Sequence, residues 1–404
     1  MKEKVKDKDK EKEKEKQKQK QKKYETEHGY TIPTLLYDQD KKILYAQPEE
    51  IQNETLRTIM SRNEDTTFGR EYLFHEITTM RDFRTYVPLS LYSDVHPYIK
   101  AMIGGMTNTL VREPVTAWAK MDTIGGQVPL VPYTRSVSRS ITDAFLLLYT
   151  SCAAHNLIAP DQYIFSGLEP LYNDILGTVP VGTFSSLGLR DLSALPGMGS
   201  LLIPSFNRQE ITPLASRWKK IASKIPAGNI GMILEDPVLF VMFAKCIQDT
   251  DMLVHVKESS PLLFVSYGPI QCYESLLKSL LGPLQFRQIM CTQGIPVAVQ
   301  LDSHEGCVPL STHHVFEFIS LREWKDMEAE GEYYREFEFS PRYLSTVTKG
   351  EEYVLVITTS GGLYRYITGD IITMIDTHHM KRVGSISIPE KKPSYIPYTM
   401  MIHQ

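Results

Sequence analysis

The stretch from Tyr353 to Asp376 constrains the fold of this chain more than any other. It is rich in β-branched and aromatic residues, which favour extended backbone, and two short segments containing glycine interrupt it. Glycine at such points permits tight turns. The stretch therefore predicts three short strands at Tyr353–Thr359, Leu363–Ile367 and Ile371–Asp376, with turns at Ser360–Gly362 and Thr368–Asp370.

A set of polar residues on this stretch goes beyond what a structural hairpin requires: Tyr364, Arg365, Tyr366 and Asp370. A carboxylate at a strand end can accept hydrogen bonds from a sugar diol. An arginine supplies a planar cation suited to phosphate or carboxylate groups. The alternative interpretation is a surface hairpin in which Arg365 and Asp370 pair with each other.

Helical and extended patterns alternate along the rest of the chain. The segment Val87–Tyr92 is predicted to be extended and Pro170–Leu187 irregular. The predicted helices are Pro48–Asn63, Asp94–Met106, Asp143–Ala154, Pro213–Ser223 and Asp236–Cys246, and the predicted strands are Tyr163–Phe165 and Leu262–Ser266. This alternation favours an α/β layered domain over a helical bundle or a β-sandwich.

Residues 1–23 differ in composition from the rest of the chain. They contain 12 lysines and 6 acidic residues, a net charge of +6, whereas the whole chain carries −4. The remainder therefore carries −10, and a basic arm on an acidic body is not typical of a nucleic-acid-binding protein. Because residues 1–23 have almost nothing apolar to bury, they are predicted to be a disordered arm rich in Lys, Glu and Gln. A tether to a membrane or to RNA is the alternative.

The sequence contains neither a secretory signal nor an apolar run long enough to span a bilayer. Its five cysteines are odd in number and lack close Cys-x-x-Cys pairing. This usage is typical of reduced thiols, and it predicts a cytoplasmic protein without a transmembrane segment.

Several motifs together resemble the Gretchen Hagen family of acyl-acid amido synthetases, which are similar to acyl-adenylate-forming enzymes. The segment Ser360–Asp370 resembles the family's third nucleotide-binding motif. Three N-terminal segments match in order and spacing: Thr67–Arg70, Phe83–Leu89 and Tyr92–Ile99. The resemblance extends from roughly Glu49 to Asp376. A single motif would be weak, but this ordered set is specific.

The resemblance implies an α/β fold, the large N-terminal domain of an adenylate-forming enzyme. Such a domain has layered sheets with flanking helices and a small β subdomain, assigned here to residues 24–376. Family members continue into a small C-terminal domain that carries a catalytic lysine. Residues 377–404 match neither the hinge nor that domain, so we expect a divergent tail in their place and the C-terminal domain to be absent.

The implied activity is ATP-dependent adenylation of a carboxylic acid, followed by amide formation with an amino acid. By resemblance, ATP and Mg²⁺ are the cofactors, and a small carboxylic acid and an amino acid are the partners. No nucleic acid is expected, and protein partners are not indicated. The resemblance assigns Arg365, Tyr366 and Asp370 to nucleotide binding.

The first nucleotide motif of the family resembles Thr116–Thr134. Its loop holds phosphate through small residues, whose backbone N–H groups approach the oxygens, and through a lysine. The alignment places Thr123, Gly125 and Gly126 on matching nucleotide-binding positions. It also places Asp122 where a small residue is expected and Pro129 where the lysine is expected. We therefore expect adenylation to be impaired.

The second motif resembles Val299–Gly306, and Val315–Ile319 matches the strand that follows it in the family. Glu305 matches the catalytic glutamate that would hold Mg²⁺ against the phosphates, and Ser303 matches a nucleotide-binding serine. Leu301 replaces the aromatic residue expected to stack on adenine. Without the resemblance, Glu305 would be interpreted as an ordinary solvated loop residue.

Three functions remain open. The first is an impaired amido synthetase, and the second is a non-catalytic binding or scaffolding relative, or a truncated product without activity. The third and least favoured is a metal-dependent hydrolase, suggested by the closely spaced His304, Cys307, His313 and His314. No zinc is expected, because structural zinc sites prefer two spaced ligand pairs, and adjacent histidines on a strand point to opposite faces.

Overall fold

The computed structural model describes residues 48–121, 128–159, 161–172, 174–204, 214–225, 229–247, 262–268 and 270–386. The predicted arm at 1–23, the residues after 386, and Asp122, Thr123, Gly125 and Gly126 lie outside these ranges.

Helices form the N-terminal layer of the described chain. They are α1 (Pro48–Asn63), α2 (Thr67–Glu71), α3 (Met80–Tyr86) and α4 (Tyr92–Ile103). The helix predicted at 48–63 is confirmed, and it buries Leu56, Ile59 and Met60, at the i, i+3, i+4 spacing of one helix face. Gln52 on the same helix donates to the carbonyl oxygens of Ser311 and His314 and accepts from the N–H of Phe316.

The first sheet has the strand order β2-β1-β5-β4 and contains β1 (Ala117–Lys120), β2 (Leu130–Tyr133), β4 (Asp174–Leu176) and β5 (Val179–Thr183). The prediction that 170–187 is irregular is wrong. Its strands β4 and β5 form a hairpin, and β5 pairs in parallel with β1, an interaction between segments far apart in sequence. Helix α6 (Phe184–Ser193) follows directly, capped by the hydroxyl of Thr183.

The second sheet has seven strands in the order β11-β10-β9-β8-β7-β3-β6. Its parallel part contains β3 (Tyr163–Phe165), β6 (Leu202–Ile203), β7 (Ile230–Glu235), β8 (Leu262–Ser266) and the start of β9 (Leu284–Thr292). The remaining strands, β10 (Ile295–Val299) and β11 (Val308–Pro309), are antiparallel. The predicted strands 163–165 and 262–266 are confirmed.

Helices cover both faces of this seven-stranded sheet, as the near-continuous apolar sequence of its parallel strands requires. On one face, α5 (Arg135–Ala154) and α7 (Met198–Leu201) join α6 around Met232 and Leu234 of β7. On the other face, α8 (Leu214–Ala222), α9 (Pro237–Cys246) and α10 (Glu274–Leu281) pack around Ile233. The α/β layered fold is therefore confirmed.

The third sheet is antiparallel, with the order β13-β12-β14-β15-β16. It contains β12 (His314–Ser320), β13 (Arg342–Tyr343), β14 (Glu352–Thr359), β15 (Tyr366–Met374) and β16 (Met380–Ser385), and α11 (Leu321–Glu330) packs on it. The prediction of three strands within 353–376 is wrong. The turn at Gly361–Gly362 is present, but Thr368–Asp370 lies inside β15, and the next strand, β16, begins only at Met380.

The local reason is a bulge. Val354 pairs with Ile371 and Val356 pairs with Ile367, so Thr368–Asp370 stands opposite the single residue Leu355. Gly369 absorbs the extra length with φ +82°, a left-handed conformation that glycine adopts without strain. Within the described ranges, no helix has the length and apolarity needed to cross a membrane.

Candidate functional site

A cavity of about 430 Å³ opens at the carboxyl ends of the parallel strands of the seven-stranded sheet. Ser166 and Gly167 after β3, Glu235 and Asp236 at the end of β7, and Tyr267 after β8 line it. In α/β folds, ligands bind at this edge of the sheet. The size is that of a pocket for a small molecule.

Carboxyl groups dominate one wall of the cavity. Glu235 is only 5% exposed, and its Oε1 accepts a hydrogen bond from the Leu168 N–H at 2.9 Å. Burial raises the pKa of Glu235 to about 8, and the negative charges of Glu169 and Asp236 act in the same direction. The side chain is therefore largely protonated at neutral pH.

Glu169 and Asp236 are each held by the start of a helix. Glu169 Oε2 accepts hydrogen bonds from the hydroxyls of Thr183 and Ser185, at 2.6 and 2.5 Å, where α6 begins. Asp236 Oδ1 accepts from the N–H groups of Val238 and Leu239 and caps α9. These bonds fix both carboxylates at the cavity wall.

Of the residues that the structure describes, two with cationic side chains line the cavity, Lys120 at the end of β1 and Arg382 on β16. Arg382 Nε lies 2.9 Å from Oδ1 of the buried Asp370. This ion pair connects the third motif to the cavity, because Asp370 itself does not line it.

The first motif borders the same cavity. Thr123, Gly125 and Gly126 lie outside the described residues, but Lys120, Met121 and Val128 on either side of them line the wall. The Met121 N–H donates to the carbonyl oxygen of Pro129 at 2.9 Å and holds the two ends of the loop together. The loop thus leaves and rejoins the sheet at the cavity.

Arg365 and Tyr366 do not line the cavity. Arg365 is buried, donates to both carboxylate oxygens of Glu317, and also donates to the carbonyl oxygen of Val87 at 2.8 Å. Tyr366 is buried in the core. The alternative in which Arg365 and Asp370 pair with each other is wrong, because Glu317 and Arg382 are their respective partners.

The second motif lies outside the cavity wall but meets the third motif on β16. Glu305 is 63% exposed and its Oε1 lies 2.5 Å from Nζ of Lys381, while Ser303 is exposed. Lys381 and Arg382 are consecutive on β16, and neighbouring residues on a strand point to opposite faces. Lys381 therefore binds Glu305 on one face and Arg382 binds Asp370 on the other, so β16 connects the second motif with the third.

The described residues do not fit Mg²⁺ at Glu305. Its carboxylate is engaged by Lys381 and faces solvent, and Glu305 does not line the cavity. Across the described ranges, no group of three or more His, Cys, Asp or Glu side chains is placed to hold a metal ion.

The environment of Cys307 does not favour a cysteine–histidine dyad. Burial raises the pKa of the Cys307 thiol to about 12, so it remains protonated. The exposed His304 instead contacts Asp302, with Nδ1 to Oδ1 at 2.8 Å. None of the five cysteines, all of which lie in the described ranges, forms a disulfide.

The sequence interpretation missed Glu169 and Glu235. The available signal was an acidic residue directly after the apolar run Ile230–Leu234, the usual position for a ligand-facing group at a strand end. Nothing local to Glu169 indicated that it would lie on the same wall.

Comparison with solved structures identifies the fold. The fold matches the acyl acid amido synthetase AtGH3.15 in complex with 2,4-DB, with a TM-score of 0.73 and 16% identity, covering 90% of this chain and 73% of that one. It also matches 2-hydroxyisobutyryl-CoA ligase, with a TM-score of 0.56 and 13% identity over 84% of this chain and 68% of that chain. The fold is that of the large domain of an adenylate-forming enzyme.

The chain belongs to the GH3 family, the Gretchen Hagen family named above. The profile "GH3 family N-terminal domain" matches residues 42–168, and "GH3 family central domain" matches residues 307–381. Indole-3-acetic acid-amido synthetase GH3.10 of Arabidopsis thaliana is 23% identical over 81% of this chain and 69% of its own length. Jasmonoyl–L-amino acid synthetase JAR4 of Nicotiana attenuata is 21% identical over 84% of this chain and 69% of its own length.

Proposed function

We propose that the cavity binds an adenosine nucleotide and that the chain is an acyl-acid amido synthetase with impaired adenylation. In that reaction a carboxylate oxygen attacks the α-phosphorus of ATP, and pyrophosphate leaves. An amine then attacks the acyl carbon, and AMP leaves. The observation that carries the proposal is that both flanks of the first motif, together with the Arg382 partner of Asp370, line one cavity.

The impairment follows from the residues around the phosphates. Pro129 offers neither a charge nor an N–H where the family has a lysine. Two carboxylates, of Glu169 and Asp236, line the same cavity, beside the largely protonated Glu235. A carboxylate near a phosphate is unfavourable at the effective dielectric of a protein, while a lost cation removes stabilisation of the departing pyrophosphate.

A second candidate is a relative that binds nucleotide without catalysis. The position of Glu305 favours it, because this predicted catalytic carboxylate is paired with Lys381 and lies off the cavity wall. Arg365, a predicted nucleotide contact, is likewise engaged elsewhere, by Glu317.

The test uses the full chain in two assays. Calorimetry with AMP measures binding, and ATP–pyrophosphate exchange across a panel of carboxylic acids measures adenylation. We expect AMP to bind and one or more acids to support slow exchange, which Pro129→Lys should accelerate. Binding without exchange for any acid would favour the non-catalytic relative. Absence of AMP and ATP binding would refute both candidates.

A further inference from the structure

Lys120 lies beside the position where the family's loop lysine is missing. In the antiparallel pair of β1 and β2, Lys120 is opposite Leu130, the residue that follows Pro129. The hydrogen bond from the Met121 N–H to the Pro129 carbonyl extends this pairing by one step. Residues at such positions on neighbouring strands are close enough for a long side chain to span. A cation at 120 and one at 129 would therefore lie on adjacent strands, at the two ends of the loop, with side chains that start from opposite faces of the sheet.

The backbone of Lys120 is fixed on both sides, while its side chain lines the cavity. It pairs with Leu130 of β2 and, in parallel, with Thr183 of β5. Unlike residues 117–119, which are buried, Lys120 at the end of β1 is only partly buried. A lysine whose backbone is held by two neighbouring strands still carries its charge on a flexible four-carbon side chain, which can adjust to a phosphate.

The charges around the cavity leave Lys120 available for a ligand. Arg382, the other cation on the wall, is already paired with Asp370. Within the described ranges, no carboxylate forms an ion pair with Lys120. An anionic ligand entering this acidic cavity gains most from a cation that no protein carboxylate has neutralised.

We propose that Lys120 contacts the phosphates of the bound nucleotide and supplies the charge that Pro129 does not. The inference rests on the proposed function and adds a residue that sets specificity for phosphorylated over unphosphorylated ligands. In this arrangement Lys120 of β1 takes the role that the family's loop gives to a lysine at the position of Pro129. The cavity therefore keeps a phosphate-binding cation although residue 129 carries no charge.

Calorimetry of the full-length Lys120→Gln protein with adenosine, AMP and ATP tests the proposal. We expect ATP affinity to fall about ten-fold, a change of ~1.4 kcal/mol, while adenosine affinity stays unchanged. Lys120→Arg keeps the charge and should keep most of the ATP affinity. Lys325→Gln, at an exposed position of α11 outside the cavity, is the matched control and should bind all three ligands normally.

A compensating substitution sharpens the test. Adding Pro129→Lys to the Lys120→Gln protein should restore ATP affinity, because the charge returns on the adjacent strand. ATP binding that is normal in Lys120→Gln overturns this inference and leaves nucleotide binding intact. If adenosine affinity falls as much as ATP affinity, Lys120 acts on the fold or on the nucleoside, and the inference is also overturned. No nucleotide binding by the unmodified protein removes both this inference and the proposed function.

Discussion

Glu317 and Arg365 form a buried ion pair between β12 and the turn before β15. Arg365 Nε donates to Oε2 of Glu317 at 2.9 Å, and Nη2 donates to Oε1 at 3.1 Å. Arg84 of α3 adds a second cation, with Nε at 2.8 Å from Oε1. Burial acts to raise the pKa of Glu317, but the charges of Arg365 and Arg84 outweigh it and hold this pKa below its ordinary value. The cluster joins the N-terminal helices to the third sheet.

Glu317→Gln should destabilise the protein by ~3–5 kcal/mol, because it leaves two guanidinium groups without their counter-charge, one of them deeply buried. Urea unfolding followed by circular dichroism measures the change. Glu305→Gln, which removes the carboxylate of an exposed pair, is the control and should leave the midpoint nearly unchanged. Equal midpoints for the two variants would contradict the structural role of Glu317.

Gly69→Ala should destabilise the protein although alanine is the better helix former. A Cβ at position 69 in α2 would lie 2.1 Å from the carbonyl oxygen of Asn63, so the backbone must shift. Overpacking of this kind typically costs ~1–3 kcal/mol, against about 1 kcal/mol gained in helix propensity. Thermal unfolding measures the balance. Gly384→Ala is the control, since its Cβ would meet nothing closer than 3.5 Å, and a lower melting temperature for that variant would contradict the argument.

Because of Glu235, the free energy of unfolding should decrease as the pH rises. Its ordinary pKa is 4.5 and burial raises it to about 8 in the folded protein. Between these values the unfolded chain has lost the proton while the folded chain keeps it, so the folded state binds more protons and raising the pH favours unfolding. Every tenfold difference in proton affinity between the folded and unfolded states corresponds to ~1.4 kcal/mol.

Glu235→Gln removes this titration and should therefore be more stabilising at pH 8.5 than at pH 5. Urea unfolding of both proteins at the two pH values measures the difference. Glu328→Gln, at an exposed position of α11, serves as the control. A Glu235→Gln effect that is the same at both pH values would show that Glu235 is ionised throughout this range.

Asp370→Asn should strengthen the binding of AMP and ATP roughly ten-fold, or ~1.4 kcal/mol, and leave adenosine unchanged, because it removes the carboxylate that neutralises the cavity-lining Arg382. Calorimetry with the three ligands measures this, with Asp326→Asn on the exposed face of α11 as the control. An equal loss of affinity for all three ligands would contradict this expectation and indicate that Asp370 contacts the nucleoside.

Local patterns predicted the local elements well. The helix at 48–63, the strands at 163–165 and 262–266 and the turn at Gly361–Gly362 were all available from apolar spacing and glycine position. Gly369 misled the interpretation, because glycine accommodates a bulge within a strand as readily as a turn between strands. The pairing of β14 with β15 shows that Gly369 belongs to a bulge within a strand and not to a turn between strands.

Local sequence patterns could not predict which residues line the cavity. Glu169 and Glu235 lie on one wall because β3 and β7 are neighbours in the sheet, a fact of topology. The sequence likewise showed that Arg365 needed an anionic partner but not which carboxylate would reach it. Glu317 lies in the predicted strand 315–319, but only the register of β12 against β14 places its carboxylate beside Arg365.

The hydrogen bonds of Gln52 have a consequence for what α1 can contact while the chain is being synthesised. Its partners Ser311, His314 and Phe316 lie 259 to 264 residues further along the chain. Helix α1 therefore emerges from the ribosome long before β12, which forms part of the surface on which it docks. Until β12 has been translated, Leu56, Ile59 and Met60 must remain in contact with water, with other nascent segments or with a chaperone.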